Sequence, residues 1–487
     1  MADLAGQRQM TLPSATTRIL VIAVAGMVLL ASVGIHWIVT LAALAAIAAL
    51  AIGQPAMVVA AVVASIPMQS TIMLPFVRGE ITITQLAIFG LIAGWGIVFW
   101  RRRIWLDSIV VGFLLVVAAY AVSFVAVDDP GLWFQETYRW AIAGVLFVIA
   151  RSVITCWVDI RYSLWAMLAG VIGLSLMSLW QLLSEAGPSD FLVGGAIRVY
   201  GTFGTPNTLA AYMEMTVPFF LACIPLAWRK SGSRHFSDIE KWLLIIASGG
   251  GTLVLLLTQS RGGWVGMALG CAVLWWQFPH RVKLVSFISA LVVVGGFLLT
   301  PPGQSQIDRF LELQVETMPA ESIETHSSYE VGAGRGALWS TAILMIEDRP
   351  LTGIGAGEFD ENYREYVPSW IDRFPRGQAH NVWLQMGAQA GIWGIAAYAA
   401  WFVASIWSVI TARRRARTDR EFWLISGVLA VFVAYIAHSM VDYLNVLSLG
   451  LQLSVLSAIA LNLVPEPLTR YSHSPTPVPS SAVPEPA

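Results

Sequence analysis

Three residues of this chain have the chemistry to handle a charged substrate: Arg198, Arg261 and His380. They are far apart in sequence, yet each falls at the mouth of an apolar segment. A guanidinium offers five fixed N–H donors matched to phosphate oxygens. An imidazole is the common general base near neutral pH. Two arginines and a histidine at one face of a greasy protein suggest a site for an anionic, lipid-linked substrate.

The elements that must position them are membrane helices. The 487 residues are 57% hydrophobic and 12% charged, with a mean hydropathy of +0.69, far from a soluble domain's balance. A spanning helix needs about 20 apolar residues. Fourteen segments qualify, at 18–34, 36–52, 55–70, 81–100, 107–127, 138–156, 162–184, 207–228, 241–259, 263–278, 281–300, 382–411, 421–441 and 446–463. The expected fold is an all-α polytopic integral membrane protein with one large outer segment carrying short helices. No cleavage pattern follows the first apolar segment, so that helix is expected to remain.

Lys and Arg collect in cytoplasmic loops. With the N-terminus inside, the short inner loops and helix ends hold 19 of the 29 Lys and Arg, against four on the outer side (Arg78, Arg139, Arg198 and Arg261). The remaining six lie in the long segment 301–380, to which the charge rule does not apply. Both termini are therefore expected in the cytoplasm. The chain divides into an inner tail (1–17), eleven helices (18–300), the outer segment (301–380), three helices (381–463) and a Pro- and Ser-rich tail (464–487) expected to be disordered. The dispersed basic residues give no footprint for nucleic acid. Cys156, Cys223 and Cys271 form no metal or disulfide spacing and read as small buried apolar residues.

Around Arg198 the sequence runs FLVGGAIRVYGTFGTPNTLAAYMEM, a shaped loop in which Asn207 or Thr208 is placed to cap the next helix. A helix N-terminus there offers N–H groups to an anion. The competing reading of Arg198 is an interfacial side chain touching lipid headgroups. Arg261 lies in LLLTQSRGGWVGMALG, where Gly262 and Gly263 leave room for a ligand or another backbone. An arginine at the membrane boundary is costly enough to need a partner, or it snorkels to the surface. His380 and Asn381 open RGQAHNVWLQMGAQAGIWG, as a general base with its neighbour or as polar interface residues. Within GRGALWSTAILMIEDRPLTGIG, the spacing of Leu338, Ala342, Met345 and Ile346 predicts a helix on the outer surface.

Taken together, RVYGTFGTPNTLAAY, QSRGGWVGMALG, GRGALWSTAILMIEDRPLTGIGAGEF and AHNVWLQMGAQAGIWG resemble the O-antigen ligase and polymerase superfamily over roughly 190–400. The resemblance implies an inverting, metal-independent glycosyltransferase with no cofactor, in the bacterial inner membrane and facing outward. Its glycan donor would be an undecaprenyl diphosphate. The acceptor would be lipid A core, another lipid-linked glycan or a protein hydroxyl, and a chain-length regulator is a possible partner. By motif, Arg198 and Arg261 would hold the diphosphate and His380 would assist the acceptor hydroxyl. Arg335, Asn207, Asn381 and Glu214 would contact substrate.

Two further polar pairs stand out. His438 and Asp442 are four apart and read as a structural pair on one helical face, or as acceptor contacts. Glu136 and Arg139 read as a local ion pair. Glu214 reads equally as a groove residue or a packing residue, and His326 is given no role. The rival from another class is a lipid-linked glycan flippase, for which charged residues should be spread through the depth of several helices.

Overall fold

A computed structural model describes residues 37–68, 71–73, 80–99, 106–193, 196–228, 236–300, 303–304, 307, 332–366, 377–445 and 448–464. The first expected helix (18–34), the first part of the outer segment with His326, and the 465–487 tail lie outside the described residues.

The described residues form sixteen α-helices: α1 Trp37–Gly53, α2 Pro55–Ser65, α3 Ile83–Phe99, α4 Ser108–Ser123, α5 Pro130–Val153, α6 Trp157–Ser184, α7 Pro206–Glu214, α8 Val217–Ala227, α9 Asp238–Leu257, α10 Arg261–Trp275, α11 His280–Leu298, α12 Gly332–Asp348, α13 Phe359–Tyr366, α14 Val382–Arg415, α15 Asp419–Ser439 and α16 Leu449–Leu463. Two short 3-10 helices (Phe124–Ala126 and Ser189–Phe191) and two short antiparallel ribbons join them: β1 (Thr71–Met73) pairs with β2 (Glu80–Thr82), and β3 (Leu192–Val193) with β4 (Ala196–Ile197).

Seven segments are long and apolar enough to cross a membrane: Ser108–Ala126, Trp157–Ser184, Pro206–Ala227, Asp238–Leu257, His280–Leu298, Val382–Arg415 and Asp419–Ser439. Four shorter apolar helices (Ala42–Gly53, Pro55–Ser65, Ile83–Val98 and Leu449–Leu463) stand beside them. The all-α membrane class is therefore present, with seven helices of full spanning length among the described residues. Apolar side chains face outward as well as inward. On α11, Leu284, Phe287, Ile288, Leu291 and Val292 are all exposed, a surface that suits lipid rather than water.

Three boundaries differ from the hydropathy reading for local reasons. The span expected at 138–156 starts earlier, because Asp129 caps α5 by accepting from the Gly131 N–H and Pro130 follows at the first turn. The span expected at 207–228 is two helices, α7 and α8. Their junction is satisfied by Gln452, whose amide donates to the Met215 carbonyl at 3.2 Å and the Thr216 hydroxyl at 2.6 Å. Backbone groups freed inside a membrane protein need such partners. Helix α14 is interrupted at Ala390 and Gly391, whose backbone angles are not helical.

That interruption explains why two of the sequence stretches belong together. The turn after α12 packs into the break in α14: the Ile354 N–H donates to the Ala388 carbonyl and the Ile392 N–H to the Pro350 carbonyl, each at 2.8 Å. Gly353 (φ 63°) and Gly391 (φ 61°) hold left-handed backbone there. A Cβ on Gly353 would lie 2.5 Å from the nitrogen of Ala390, and one on Gly391 would meet the carbonyl of Pro350. The expected helix on RGALWSTAILMIED is present as α12, with Leu338, Ala342 and Met345 buried against Ile354, Phe359, Tyr363 and Ala388. Glu358 ties this unit to α5, accepting from the Asp128 and Asp129 N–H groups at 3.1 and 2.6 Å.

A Gly353→Ala or Gly391→Ala variant should lose stability, because a non-glycine residue in such backbone costs about 1–3 kcal/mol before any clash is counted. Thermal unfolding in detergent checks this. A melting temperature equal to wild type in both variants would show that the junction is not a fixed contact.

Candidate functional site

Each element around the site carries a local reason for its shape. The loop before α7 is held by buried Gln181, whose side-chain oxygen accepts from the Tyr200 and Gly201 N–H groups while its amide donates to the Gly201 carbonyl. Thr205, rather than Asn207 or Thr208, caps α7, accepting from the Thr208 N–H. Asn207 is thereby released for a longer reach. Its Nδ2 donates to Asp442 Oδ2 at 2.8 Å and its Oδ1 accepts from Arg198 at 3.2 Å. Arg198 also donates through Nε to the Thr258 carbonyl at 2.9 Å, near the C-terminal end of α9.

His380 occupies the turn into α14. Its backbone is left-handed (φ 47°), an uncommon state for a residue with a side chain and one enriched at functional turns. Buried Gln385 helps hold that turn by accepting from the Ala379 N–H at 2.6 Å. Asn381 caps α14, accepting from the Trp383 and Leu384 N–H groups, and donates to the Met440 carbonyl at 2.9 Å. The predicted substrate contact at Asn381 is thus a capping residue that ties α14 to the end of α15.

The imidazole Nδ1 of His380 lies 2.8 Å from Asp442 Oδ1. The same carboxylate accepts from the Tyr443 N–H at 2.8 Å and stands 3.5 Å from Gln378 Nε2. Burial alone would push the Asp442 carboxyl up. The hydrogen bond and charge of His380, with the charges of His438 and Arg335, outweigh it and hold the group down at about 2. Asp442 is therefore an ionised acceptor 2.8 Å from Nδ1 of His380. The His380 side chain keeps 26% exposure while Asp442 keeps 3%, so the imidazole is the reachable member.

Arg261 is the first residue of α10, directly after its cap, Ser260, and is half-buried. Arg335 lies in the first turn of α12, close enough for its charge to act on Asp442 and His438. Asn207 and His380 thus both contact Asp442, Arg198 reaches it through Asn207, Arg335 acts on it by charge, and Arg261 adjoins Gly262, which packs on His438.

Several sequence expectations are redirected. His438 and Asp442 do not pair with each other. Helix α15 ends at Ser439, so residue 442 no longer shares its face. His438 instead holds Glu214 at 3.0 Å, and Asp442 holds His380. Glu214 is fully enclosed, held by His438. Glu136 and Arg139 do pair, at 2.6 Å, and Tyr443 also approaches Glu136 at 3.3 Å. Cys223 is buried as expected and Cys271 partly so, but Cys156 is exposed at the N-cap of α6.

Sequence reasoning ranked Asp442 too low. The signal it carried was an acid at the edge of an apolar helix, which needs an assigned partner. Gln181 and Glu358 gave no signal, because their work is to accept backbone N–H groups from distant loops.

Apolar helices surrounding a cluster of arginines, a histidine and a carboxylate define a polytopic membrane protein with a polar site at one end of the bundle. Residues 243–399 match the family model described as O-antigen ligase. That match covers about a third of the chain and shows what this region is similar to. It contains Arg261, Arg335 and His380, while Arg198, Asn207 and Asp442 lie outside it. A protein of Haemophilus influenzae described as uncharacterized is 21% identical over 241 residues, which is 46% of this chain and 57% of that protein. The chain therefore spans little more than half the length of that relative.

Proposed function

We propose that this chain transfers a glycan from an undecaprenyl diphosphate to an acceptor hydroxyl at the outer face of the cytoplasmic membrane, with inversion and without a metal. The observation that carries this reading is the continuous chain Arg198–Asn207–Asp442–His380. It links a phosphate-type ligand to a general base through one buried carboxylate.

In this mechanism Nε2 of His380 takes the proton of the acceptor hydroxyl. The hydroxyl oxygen attacks the anomeric carbon from the side opposite the diphosphate, and the bond from that carbon to the diphosphate oxygen breaks. The bonding electrons leave with the diphosphate. Arg198 and Arg261 meet the charge that develops there, as preorganised cations do at a leaving group. Arg335 adds positive charge on the same side. Asp442 stabilises the imidazolium formed in the step and holds the ring's orientation. Asn207 keeps Arg198 and Asp442 in register.

The outward orientation rests on the distribution of Lys and Arg over the short loops. The test is a proteoliposome assay in EDTA with a labelled lipid-diphosphate glycan, offering lipid A core, a second lipid-linked glycan and a protein acceptor separately. Glycan moved to one of these hydroxyls supports the reading. Label crossing the bilayer with no transfer would replace it with a flippase.

A further inference from the structure

The most enclosed ion pair among the described residues has no place in the chemistry above. Glu214 on α7 and His438 on α15 are 0% and 1% exposed, with 3.0 Å between Oε1 and Nδ1. Each has a second polar atom, Glu214 Oε2 and His438 Nε2, that is buried without a hydrogen-bond partner. Burying such atoms without a partner is costly, so the pair is an expensive way to fill space.

Both lone atoms face one element, α10. A Cβ on Gly262 would sit 2.5 Å from His438 Cδ2 and 2.9 Å from its Nε2. A Cβ on Gly266, one turn further, would sit 2.5 Å from Glu214 Oε2 and 2.8 Å from the Ala434 carbonyl. Gly262, which read in sequence as room for a ligand or another backbone, is therefore the seat of His438, and Gly266 is the seat of Glu214. Gly262 directly follows Arg261. The two residues thus join three elements that each deliver a site group: Asn207 lies in the first turn of α7, α10 begins with Arg261, and α15 leads into Asp442.

We infer that Glu214 and His438 are positioning residues that set the height of the Arg261 turn against Asn207 and Asp442, and so control how the diphosphate is held. This inference rests on the proposed glycan-donor chemistry. It predicts a defect specific to the diphosphate ligand, because Gly262 adjoins Arg261, while the Gln385 contact that holds the His380 turn lies within α14 and its entry.

The experiment measures binding of undecaprenyl diphosphate by purified protein in detergent, together with the KM for the acceptor and the melting temperature. His438→Ala and Gly262→Ala, which disturb one contact from opposite sides, should each weaken lipid-diphosphate binding about 10-fold, since small displacements of positioning groups carry effects of that size or larger. The acceptor KM should stay at its wild-type value. The double variant should be no weaker than either single one, because the two changes share a partner. His438→Gln, whose amide can still donate to Glu214, should recover part of the binding lost in His438→Ala. Wild-type binding that persists undiminished in His438→Ala and Gly262→Ala overturns the inference alone, as does an equal rise in the acceptor KM. A wild-type protein that does not bind the lipid diphosphate overturns the underlying functional reading, and the inference with it.

Discussion

The His380→Ala protein should accumulate in the membrane at wild-type abundance and transfer no measurable glycan. A positioned general base contributes about 10²–10⁴ in rate, and alanine leaves nothing at that position to accept the hydroxyl proton. Stability should change little, because the His380 side chain is partly exposed and the turn beneath it is held by Gln385 and Asn381. Asp442→Asn should approach the same loss while preserving shape. The amide leaves the imidazolium uncompensated and no longer fixes the proton on Nδ1. The pH dependence separates the two partners. The folded carboxyl of Asp442 is depressed to about 2, so its stabilising charge is present above the unfolded value of about 3.9 and is lost only as pH falls through the lower one. No pH between about 4 and 9 should therefore restore the Asp442→Asn variant. Recovery of its rate within that window would show that Asp442 acts by some means other than its charge.

The second large effect concerns the arginines. Arg198→Ala and Arg261→Ala should each lower transfer by about 10²–10³, the usual loss for one preorganised group facing developing charge. Lysine should not repair Arg198. The side chain uses Nε for the Thr258 carbonyl and an Nη for Asn207, and a single ammonium cannot span both partners in that fork. Loss of Arg198 also removes a neighbour of Asn207, so its effect should couple with Asp442→Asn in a double-mutant cycle. Additive losses would show that the polar chain from Arg198 to His380 does not act as a unit. Transfer rates from purified protein at saturating acceptor provide the measurement.

Hydropathy made much of the helical scaffold legible because membrane helices advertise themselves by length and composition. It located helices on both sides of the described outer segment, but it failed where polar residues belong to a helix, as in the first turns of α5, and where a helix breaks inside an apolar run. The break at Ala390 and Gly391 is set by the distant turn at Pro350–Ile354, and no local window contains that partner. The candidate residues Arg198, Arg261 and His380 stand out in the sequence because cations and imidazoles are costly beside lipid. Asp442 was misread through a helical spacing rule, although α15 stops before reaching it. Asn207 was read as a cap until Thr205 took that position and left it as the bridge between Arg198 and Asp442. Pairings across more than two hundred residues follow from the packing of α7, α14 and α15, and local spacing does not encode them.

The measurement closest to the central claim is glycan transfer by purified protein in EDTA, run side by side for wild type, His380→Ala and Asp442→Asn, with one labelled undecaprenyl-diphosphate glycan and each acceptor in turn. The account predicts transfer by wild type to one class of hydroxyl and loss of that transfer in both variants, with all three proteins equally folded. Wild-type rates in the His380→Ala protein would contradict it.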